Sequence, residues 1–268
     1  MTLLLDPGAR PVVAHRGNSA HAPENTLEAL EQGVSMGADA LEFDVRITRD
    51  GHPVVIHDAG VERTTDGEGL VAALTLAQLG RLDAGFRFTM DGGRTFPNRG
   101  RGLAIPTLNQ VLDAFPSTPI IVEIKASAAS VETKRLLERH GAERRCVVGS
   151  FSAETIAPFQ GSAFPRFAVR REVAQLYARA LLAGRPARLP YDALCIPPAF
   201  RGLPLPVLRM ARLGRRCGVP THVWTVDDPA RARRFWDGGV NAVISNDPAV
   251  ILAAAGRARG SRIPASLS

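Results

Sequence analysis

The stretch ALEFDVRITRDGHPVVIHD, residues 40–58, carries the pattern on which the fold assignment depends. Its first eight residues alternate between apolar and polar side chains, and successive side chains of a strand point to opposite faces. Glu42 and Asp44 therefore share one face, and the apolar residues around them share the other. Two carboxylates held side by side repel each other, so the pattern predicts a cation beside this strand. A second extended run follows and ends in the pair His57–Asp58.

Short apolar runs of the same kind recur along the chain. Stretches with helical spacing separate most of them. Eight strands alternating with helices in 268 residues predict an α/β fold, specifically a (β/α)8 TIM barrel. A doubly wound open sheet is the alternative, because it gives the same alternation. Besides residues 40–47, the runs are PVVAH (11–15), IIVEIK (120–125), CVVGS (146–150), RFAVR (166–170), ALCIP (193–197), THVWTV (221–226) and AVIS (242–245).

The first helical stretch is NTLEALEQGVSM, which begins at Asn25. Leu27, Leu30 and Val34 repeat with a period near that of an α-helix. Asn25 stands just before this run and Glu28 follows three residues later, which is the spacing of an N-cap and its capping partner. We therefore expect Asn25 to cap this helix.

The connection between the second and third predicted strands is too long for a plain loop. It is rich in Gly, Arg and Pro and includes a second extended piece, HPVVIHD. We interpret about residues 53–107 as a small insertion on one barrel rim after strand two. The chain shows no low-complexity linker and no internal repeat, so we expect a single domain over residues 1–268.

The composition is that of an ordinary globular protein, with 45% hydrophobic residues and a formal net charge of +7. A positive balance allows binding to nucleic acid or to an anionic membrane. The basic residues are scattered, however, and apart from Lys125 and Lys134 all of them are arginines. We therefore interpret the charge as a generally basic surface and expect a small-molecule substrate, with no nucleic acid as partner. Nothing in the sequence points to a particular oligomeric state.

The sequence also predicts where the protein works. It contains no apolar run of membrane-spanning length, so we expect no stable membrane anchor. The first residues, MTLLLDPGARPVV, lack the basic and apolar regions of a signal peptide. Three widely spaced cysteines suit reduced core thiols better than a disulfide framework. Together these features favour the cytoplasm.

Polar residues interrupt the apolar runs where catalytic groups of a barrel collect, at the carboxyl ends of the strands. Alternation along IIVEIK places Glu123 on the same side as Lys125. If Glu42, Asp44 and Glu123 all face inward, three carboxylates converge on neighbouring strands. Such an all-oxygen set suits a divalent metal such as Mg²⁺ or Ca²⁺ and argues against zinc. The alternative is that these acids form salt bridges with Arg16, Arg46 and Lys125.

Two histidines and two cations accompany the acids. His15 ends the first strand and His57 ends the antiparallel piece, and histidine suits general acid–base catalysis near neutral pH. Arg16 and Lys125 provide positive charge for phosphate oxygens. Metal, cations and histidines around one pocket describe a phosphoryl-transfer site. Trp224 is either core packing or a pocket wall that contacts the substrate's carbon skeleton or a choline-like cation.

At these residues the chain resembles the glycerophosphodiester phosphodiesterase family. Each matching segment is short, but eight of them occur in order along nearly the whole chain. The segments are AHRG (14–17), PENT (23–26), GADALEFDVRITRDGHPVVIHD (37–58), RTTDG (63–67), IPTL (105–108), VEIK (122–125), VWTVDD (223–228) and GVNAVISNDP (239–248).

The resemblance implies a (β/α)8 barrel with an inserted region after strand two, and it implies a role for each candidate residue. Glu24 and Asn25 match the family's PEN element, which we interpret as ordering a loop or as supporting the residues that bind metal and substrate. The sequence departs from the family at Asn246, where an acidic residue is common, and we expect this to affect a peripheral contact. The implied roles are general acid and base for His15 and His57, metal ligands for Glu42, Asp44 and Glu123, and phosphate binding for Arg16 and Lys125.

The activity implied is metal-dependent hydrolysis of a glycerophosphodiester to glycerol 3-phosphate and an alcohol such as choline or ethanolamine, within lipid and glycerol metabolism. The nucleophile is either water or the glycerol's neighbouring hydroxyl, which would give a cyclic phosphate. One alternative is a lysophospholipase D-like hydrolase, for which Phe86, Phe88, Met90 and Phe96 of the insertion would supply an apolar surface. A non-catalytic barrel that binds anions is the other, and the full set of acids, bases and histidines argues against it.

Overall fold

The structure is a computed structural model that describes residues 2–181 and 188–257. The prediction of one domain over residues 1–268 extends beyond these limits, and its parts at residues 1, 182–187 and 258–268 lie outside the described residues.

The predicted strands form one curled, mostly parallel sheet with helices in the connections. Along the sheet the order is β5-β4-β2-β1-β10-β9-β6, and β3 pairs with β2 in the antiparallel direction. The strands are β1 (Val12–His15), β2 (Ala40–Ile47), β3 (Pro53–Val55), β4 (Ile120–Ile124), β5 (Cys146–Gly149), β6 (Leu194–Ile196), β7 (Ala199–Phe200), β8 (Leu203–Pro204), β9 (Thr221–Val223) and β10 (Ala242–Ser245). The helices are α1 (Leu27–Ser35), α2 (Leu76–Leu79), α3 (Leu108–Ala114), α4 (Ser130–Arg139), α5 (Ala153–Ile156), α6 (Arg170–Leu181), α7 (Val207–Arg215), α8 (Pro229–Asp237) and α9 (Pro248–Ala254).

Two isolated parallel bridges close this sheet into a ring. Arg166 pairs with Val148 of β5, and Phe167 pairs with Ala193 just before β6. This seam, residues 166–167, therefore occupies the eighth position of the barrel. The (β/α)8 prediction is confirmed and the open doubly wound sheet is excluded. The strand predicted over residues 166–170 was too long, because α6 already begins at Arg170.

Apolar packing occurs in two layers, as alternation in the strands requires. The layer inside the ring consists of side chains such as Val13, Ile121, Phe167 and Ile244. The opposite faces of the strands pack against the surrounding helices; Phe43, for example, is completely buried on the side away from Glu42. The polar residues of β2 are thus turned toward the barrel axis.

A short 3-10 helix, Leu3–Leu5, packs against the residues inside the barrel. The carbonyl oxygen of Leu4 lies 2.8 Å from Nε2 of His222, whose side chain is fully buried on β9 and packs edge-on against Phe167. Burial lowers the pKa of His222 to about 4. His222 is therefore a buried, neutral part of the barrel interior.

The turn after β1 fits tightly against α1. Gly17 has φ of +83°, and a Cβ atom there would stand 2.3 Å from the backbone carbon of Ala29. A residue with a side chain would meet both the strain of this conformation and the helix backbone. The segment HRG therefore requires its glycine for packing.

The expectation that Asn25 caps α1 is wrong. Thr26 is the N-cap, and its hydroxyl accepts a hydrogen bond from the amide of Ala29. Asn25 instead has φ of +60°, and its Nδ2 donates to Oδ2 of Asp44 at 3.0 Å. Asn25 and Thr26 are both residue types that can cap a helix. The contact of Asn25 with Asp44 of β2 leaves Thr26 as the N-cap.

The long segment from β3 to α3 has a small apolar cluster of its own. Val54, Val61, Val71, Leu79 and Ile105 are buried together there. Val54 of β3 also forms an isolated antiparallel bridge with Thr107, the N-cap of α3, so the two ends of the segment lie side by side. It thereby stands beside the carboxyl end of the barrel strands.

Among the described residues, no helix could cross a membrane. Within them α6, with 12 residues, is the longest helix, whereas a span needs about 20 apolar residues.

Candidate active site

The candidate acids lie on the adjacent strands β4 and β2, and β1 with His15 lies on the other side of β2. Glu42 is in register with His15 of β1, and Asp44 is in register with Glu123 of β4. Side chains in register on neighbouring strands of one sheet face lie side by side. The fold therefore brings the three acids and His15 to one place inside the ring.

One carboxylate oxygen from each of Glu42, Asp44 and Glu123 lies within 4.8 Å of the other two. Glu42 and Asp44 are almost completely buried. Oxygen ligands without nitrogen or sulfur are the set that Mg²⁺ and Ca²⁺ prefer. The donor set and its spacing thus fit a hard divalent cation.

Asp44 lies between two cations. Its Oδ2 is 3.0 Å from Nε of Arg16, and its Oδ1 is 3.0 Å from Nζ of Lys125, which also contacts Oε1 of Glu123 at 2.7 Å. Burial would raise the pKa of Asp44, but Lys125 and Arg16 outweigh burial and hold it below its ordinary value. Salt bridges and carboxylate clustering therefore coexist at Asp44. Arg46, the third predicted partner, donates from Nε to the backbone carbonyl of His57.

At Glu42 the same two cations do not outweigh burial. Burial raises its pKa well above the ordinary value, and repulsion from Asp44 and Glu123 adds to the effect. Its Oε2 accepts a hydrogen bond from the backbone amide of Arg16 at 3.1 Å. Three carboxylates against the two cations Arg16 and Lys125 leave an excess of negative charge, which a divalent cation would reverse. The raised pKa of Glu42 and the three carboxylate oxygens thus both indicate a site for a cation.

Asn246 orients His15. Its Oδ1 lies 2.7 Å from Nδ1 of His15, while its Nδ2 donates to Asp227 at 2.8 Å. Because the carboxylate of Asp227 requires a donor, the amide oxygen faces the histidine, and Nδ1 of His15 is assigned the proton. Nε2 is left with its lone pair, 3.8 Å from Oε2 of Glu42. Burial, followed by the charge of Arg16, lowers the pKa of His15.

His57 has a carboxylate partner instead. Its Nδ1 lies 2.7 Å from Oδ1 of Asp58, and the other oxygen of Asp58 contacts Nε of Arg63. Glu24 joins this network, because it accepts hydrogen bonds from Arg16 at 2.9 Å and from Arg63 at 2.7 Å. The PEN segment thus connects the turn after β1 to the loop that carries His57.

Seven of the eight predicted site residues line one pocket inside the carboxyl end of the ring, and Asp44 lies beneath it in contact with Arg16 and Lys125. The pocket wall includes Trp224 and Phe151, whose ring centroids are 6.0 Å apart with planes tilted by 56°. The seven are His15, Arg16, Glu42, His57, Glu123, Lys125 and Trp224.

The sequence analysis did not predict several residues that contact the site's side chains and position them. Asn246 was expected to make a peripheral contact, yet it is bonded directly to His15. Arg63 belongs to the matching segment RTTDG, which was the available signal for it. Phe151 follows β5 and belongs to no matching segment, so only its position after a strand could have marked it.

Comparison with known proteins agrees with the geometry. The sequence model of the Glycerophosphoryl diester phosphodiesterase family matches residues 15–250. A glycerophosphodiester phosphodiesterase of Caldanaerobacter subterraneus is 31% identical over 248 residues, which cover 90% of this chain and 96% of the relative. A probable glycerophosphodiester phosphodiesterase 1 of Mycobacterium tuberculosis is 37% identical over 242 residues, with 81% and 82% covered.

Solved structures of the same kind superpose on the chain. A phosphodiesterase of Oleispira antarctica, crystallised with the product sn-glycerol-3-phosphate, has a TM-score of 0.74 at 26% identity and covers 92% of this chain and 97% of its own. A glycerophosphodiester phosphodiesterase of Agrobacterium tumefaciens has a TM-score of 0.73 at 26% identity, with 91% and 99% covered.

Proposed function

The chain belongs to the glycerophosphoryl diester phosphodiesterase family and is an enzyme of that kind; from this premise we propose that it hydrolyses glycerophosphodiesters to glycerol 3-phosphate and an alcohol, using a divalent metal and a histidine pair. The observation that carries the proposal is the convergence of Glu42, Asp44 and Glu123 within 4.8 Å. They stand beside a pocket that His15 and His57 also line.

Glu42, Asp44 and Glu123 would hold the metal, Mg²⁺ or Ca²⁺. When bound, such an ion polarises phosphoryl oxygens and stabilises the negative charge that develops on them. Arg16 and Lys125 border the same pocket and add positive charge for the phosphate. Asp44 contacts both cations, so it positions them as well as serving the metal site.

The two histidines would divide the proton transfers according to their partners. His15 donates through Nδ1 to a neutral amide, which leaves the lone pair of Nε2 free to accept the proton of the nucleophile. Asp58 beside His57 compensates the positive charge of a ring that carries two N–H groups. We therefore assign general base to His15 and general acid, which protonates the leaving alcohol, to His57.

The nucleophile is either water or the hydroxyl of the glycerol next to the phosphate. In the second route His15 would deprotonate that hydroxyl, a cyclic phosphate would form, and water would then open it. A deoxy analogue without the hydroxyl separates the two routes, because only direct attack by water would hydrolyse it readily.

The proposal is tested by the release of glycerol 3-phosphate from glycerophosphodiesters by metal-stripped protein. Mg²⁺, Ca²⁺ or Mn²⁺ should restore activity to the wild type but not to His15→Ala or Glu42→Ala. The exposed substitutions His52→Ala and Glu31→Gln are matched controls and should remain active. Activity that survives in Glu42→Ala with full metal dependence would overturn the assignment of the metal ligands.

A lysophospholipase D-like activity is the second candidate. In the insertion, Arg99 lies 4.0 Å from the ring centroid of Phe86 and 4.1 Å from that of Phe96, so these rings are covered by a cation. Met90 of the insertion is 60% exposed, and further apolar surface occurs on the hairpin after β6, where Phe200 is 49% and Leu203 is 71% exposed. Turnover of lysophosphatidylcholine above that of glycerophosphocholine would favour this candidate.

We also propose a single domain with an insertion at about residues 53–107, acting in the cytoplasm on a small molecule. The separate apolar cluster between β3 and α3 supports the insertion. Cys146 of β5 and Cys195 of β6 are free thiols, which suits a reducing compartment. Fractionation of the host cell would test the location.

A further inference from the structure

The outer wall of the pocket, at Phe151, carries two cations of the chain itself. Nζ of Lys125 lies 5.9 Å from the centroid of the Phe151 ring, and the guanidinium carbon of Arg170 lies 5.6 Å from it. Phe151 is 41% exposed, so it stands where the pocket meets solvent. An aromatic ring attracts cations through its face, and here positive groups already approach this ring from within the protein.

Arg170 is held at this place by its backbone. Its amide donates to the carbonyl oxygen of Phe151 at 3.2 Å, and it is the first residue of α6, three residues after Phe167 of the seam. Within residues 2–181 and 188–257, the Arg170 guanidinium has no ion pair and no hydrogen bond. Lys125, in contrast, is already engaged with Asp44 and Glu123. Beside the pocket wall at Phe151 thus stands an arginine whose charge is available to a ligand.

The direction of the pocket indicates which part of a substrate reaches Arg170. Ile121 and Ile244 line the pocket and belong to the apolar layer inside the ring, so the pocket is closed toward the barrel axis. The glycerol moiety is small and common to all substrates of the proposed reaction. The alcohol varies in size, so it requires the open side, where Phe151 is exposed.

We propose that the preferred leaving alcohol carries a negative charge, such as a phosphate or carboxylate, which Arg170 binds beside the ring of Phe151. This inference rests on the proposed function and names the substrate class for the same site. Arginine pairs with phosphate and carboxylate through two parallel N–H groups. The trimethylammonium group of choline would be repelled by Arg170 and Lys125 at the Phe151 ring, so choline is disfavoured as the leaving alcohol. This differs from the choline-like contact considered for Trp224.

The test compares three glycerophosphodiesters whose alcohols differ in charge: choline, glycerol and glycerol phosphate. For the wild type we expect kcat/KM for the glycerol phosphate diester to exceed that for glycerophosphocholine by about tenfold, chiefly through KM, because Arg170 lies outside the reacting atoms. Arg170→Gln should reduce the ratio to about twofold, since the charge-assisted contact is lost. Arg170→Lys should retain part of it, because the charge remains.

Arg171→Gln is the matched control, because it removes the same charge from the next, exposed position of α6. It should leave the ratio as in the wild type. Equal rates on the three diesters, a preference for choline, or an unchanged ratio in Arg170→Gln would overturn this inference while the proposed function stands. Failure to release glycerol 3-phosphate from any of the three would overturn the proposed function, and this inference with it.

Discussion

His15 and Asn246, 231 residues apart in the chain, are joined by a 2.7 Å contact between Nδ1 and Oδ1. The first strand of the chain and the loop after β10 meet there, because β1 and β10 are neighbours in the ring. Asp227, on the loop after β9, fixes the orientation of the amide. The ring of His15, the proposed general base, is therefore oriented from two neighbouring strand ends.

Asn246→Ala should lower kcat about 10- to 100-fold with a small change in KM, because His15 loses the partner that sets its tautomer and orientation. Steady-state kinetics on a glycerophosphodiester measure this. Ser19→Ala is the control: its hydroxyl lies 3.0 Å from the same oxygen and 2.8 Å from the backbone carbonyl oxygen of His15, so it contacts both partners without bonding to the imidazole nitrogens. We expect Ser19→Ala to stay within about threefold of the wild type. Equal losses in both variants would show that Asn246 acts on the loop and not on His15.

Glu42→Gln should abolish stabilisation by the metal without destabilising the metal-free protein. The amide has the shape of the carboxylate but none of its repulsion with Asp44 and Glu123, so the metal-free variant should melt at or above the wild-type temperature. Thermal melts with and without Mg²⁺ or Ca²⁺ measure both effects, since a ligand that binds the folded state raises Tm. Glu31→Gln should retain the metal-induced rise. A rise of wild-type size in Glu42→Gln would remove Glu42 from the metal site.

His222→Gln should make the protein less sensitive to acid. The pKa of His222 is about 4 in the folded protein, below the ordinary value of about 6.5. The unfolded chain therefore takes up the proton first, and the folded state loses stability as pH falls from about 7 toward 4. The loss between pH 7 and pH 5 is about 2 kcal/mol.

Gln keeps an N–H donor toward the Leu4 carbonyl but does not titrate in this range. Unfolding by urea at several pH values measures the difference between variant and wild type. His52→Gln, at an exposed histidine, is the matched control and should follow the wild type. Parallel curves for His222→Gln and the wild type would contradict the buried neutral state of His222.

Gly17→Ala should destabilise the protein by more than about 2 kcal/mol, because the new Cβ meets the strained φ of +83° and the backbone of Ala29 at 2.3 Å. Gly51→Ala separates the two causes, since Gly51 has φ of +85° and no atom within 4 Å of the added Cβ. It should cost about 1 kcal/mol. Urea midpoints compare the pair, and equal losses would exclude the packing of Gly17 against α1 as a cause.

Local sequence patterns predicted those parts of the fold that depend on local rules. The alternation in β2 placed Glu42 and Asp44 on one face, and the confirmed barrel turns that face inward. The strand predicted over residues 166–170 was too long because an apolar run does not reveal where hydrogen bonding stops. Only Arg166 and Phe167 form bridges, and α6 begins three residues after Phe167.

Features that depend on distant contacts could not be read from the sequence. Asn25 and Thr26 are both suited to an N-cap, and Asp44, 19 residues further along the chain, draws Asn25 away from that role. Arg170 beside Phe151 gives no signal either, because each residue is ordinary in its own segment. Such contacts depend on the closed ring of strands and not on the neighbouring residues in the sequence.

The strand pairing of the ring is shortest at the seam, residues 166–167. The ladder between β2 and β4 has five residue pairs, whereas here one residue is bridged on each side, with two backbone hydrogen bonds to Val148 and three to residues 192–193. Segments with few backbone hydrogen bonds open at lower free energy than the rest of a fold. Phe167 and Ala168 also line the pocket. We therefore expect the amides of Val148 and Ala168 to exchange faster than those of the long ladder between β2 and β4, so that the wall of the candidate active site opens more readily than the strands that carry its acids.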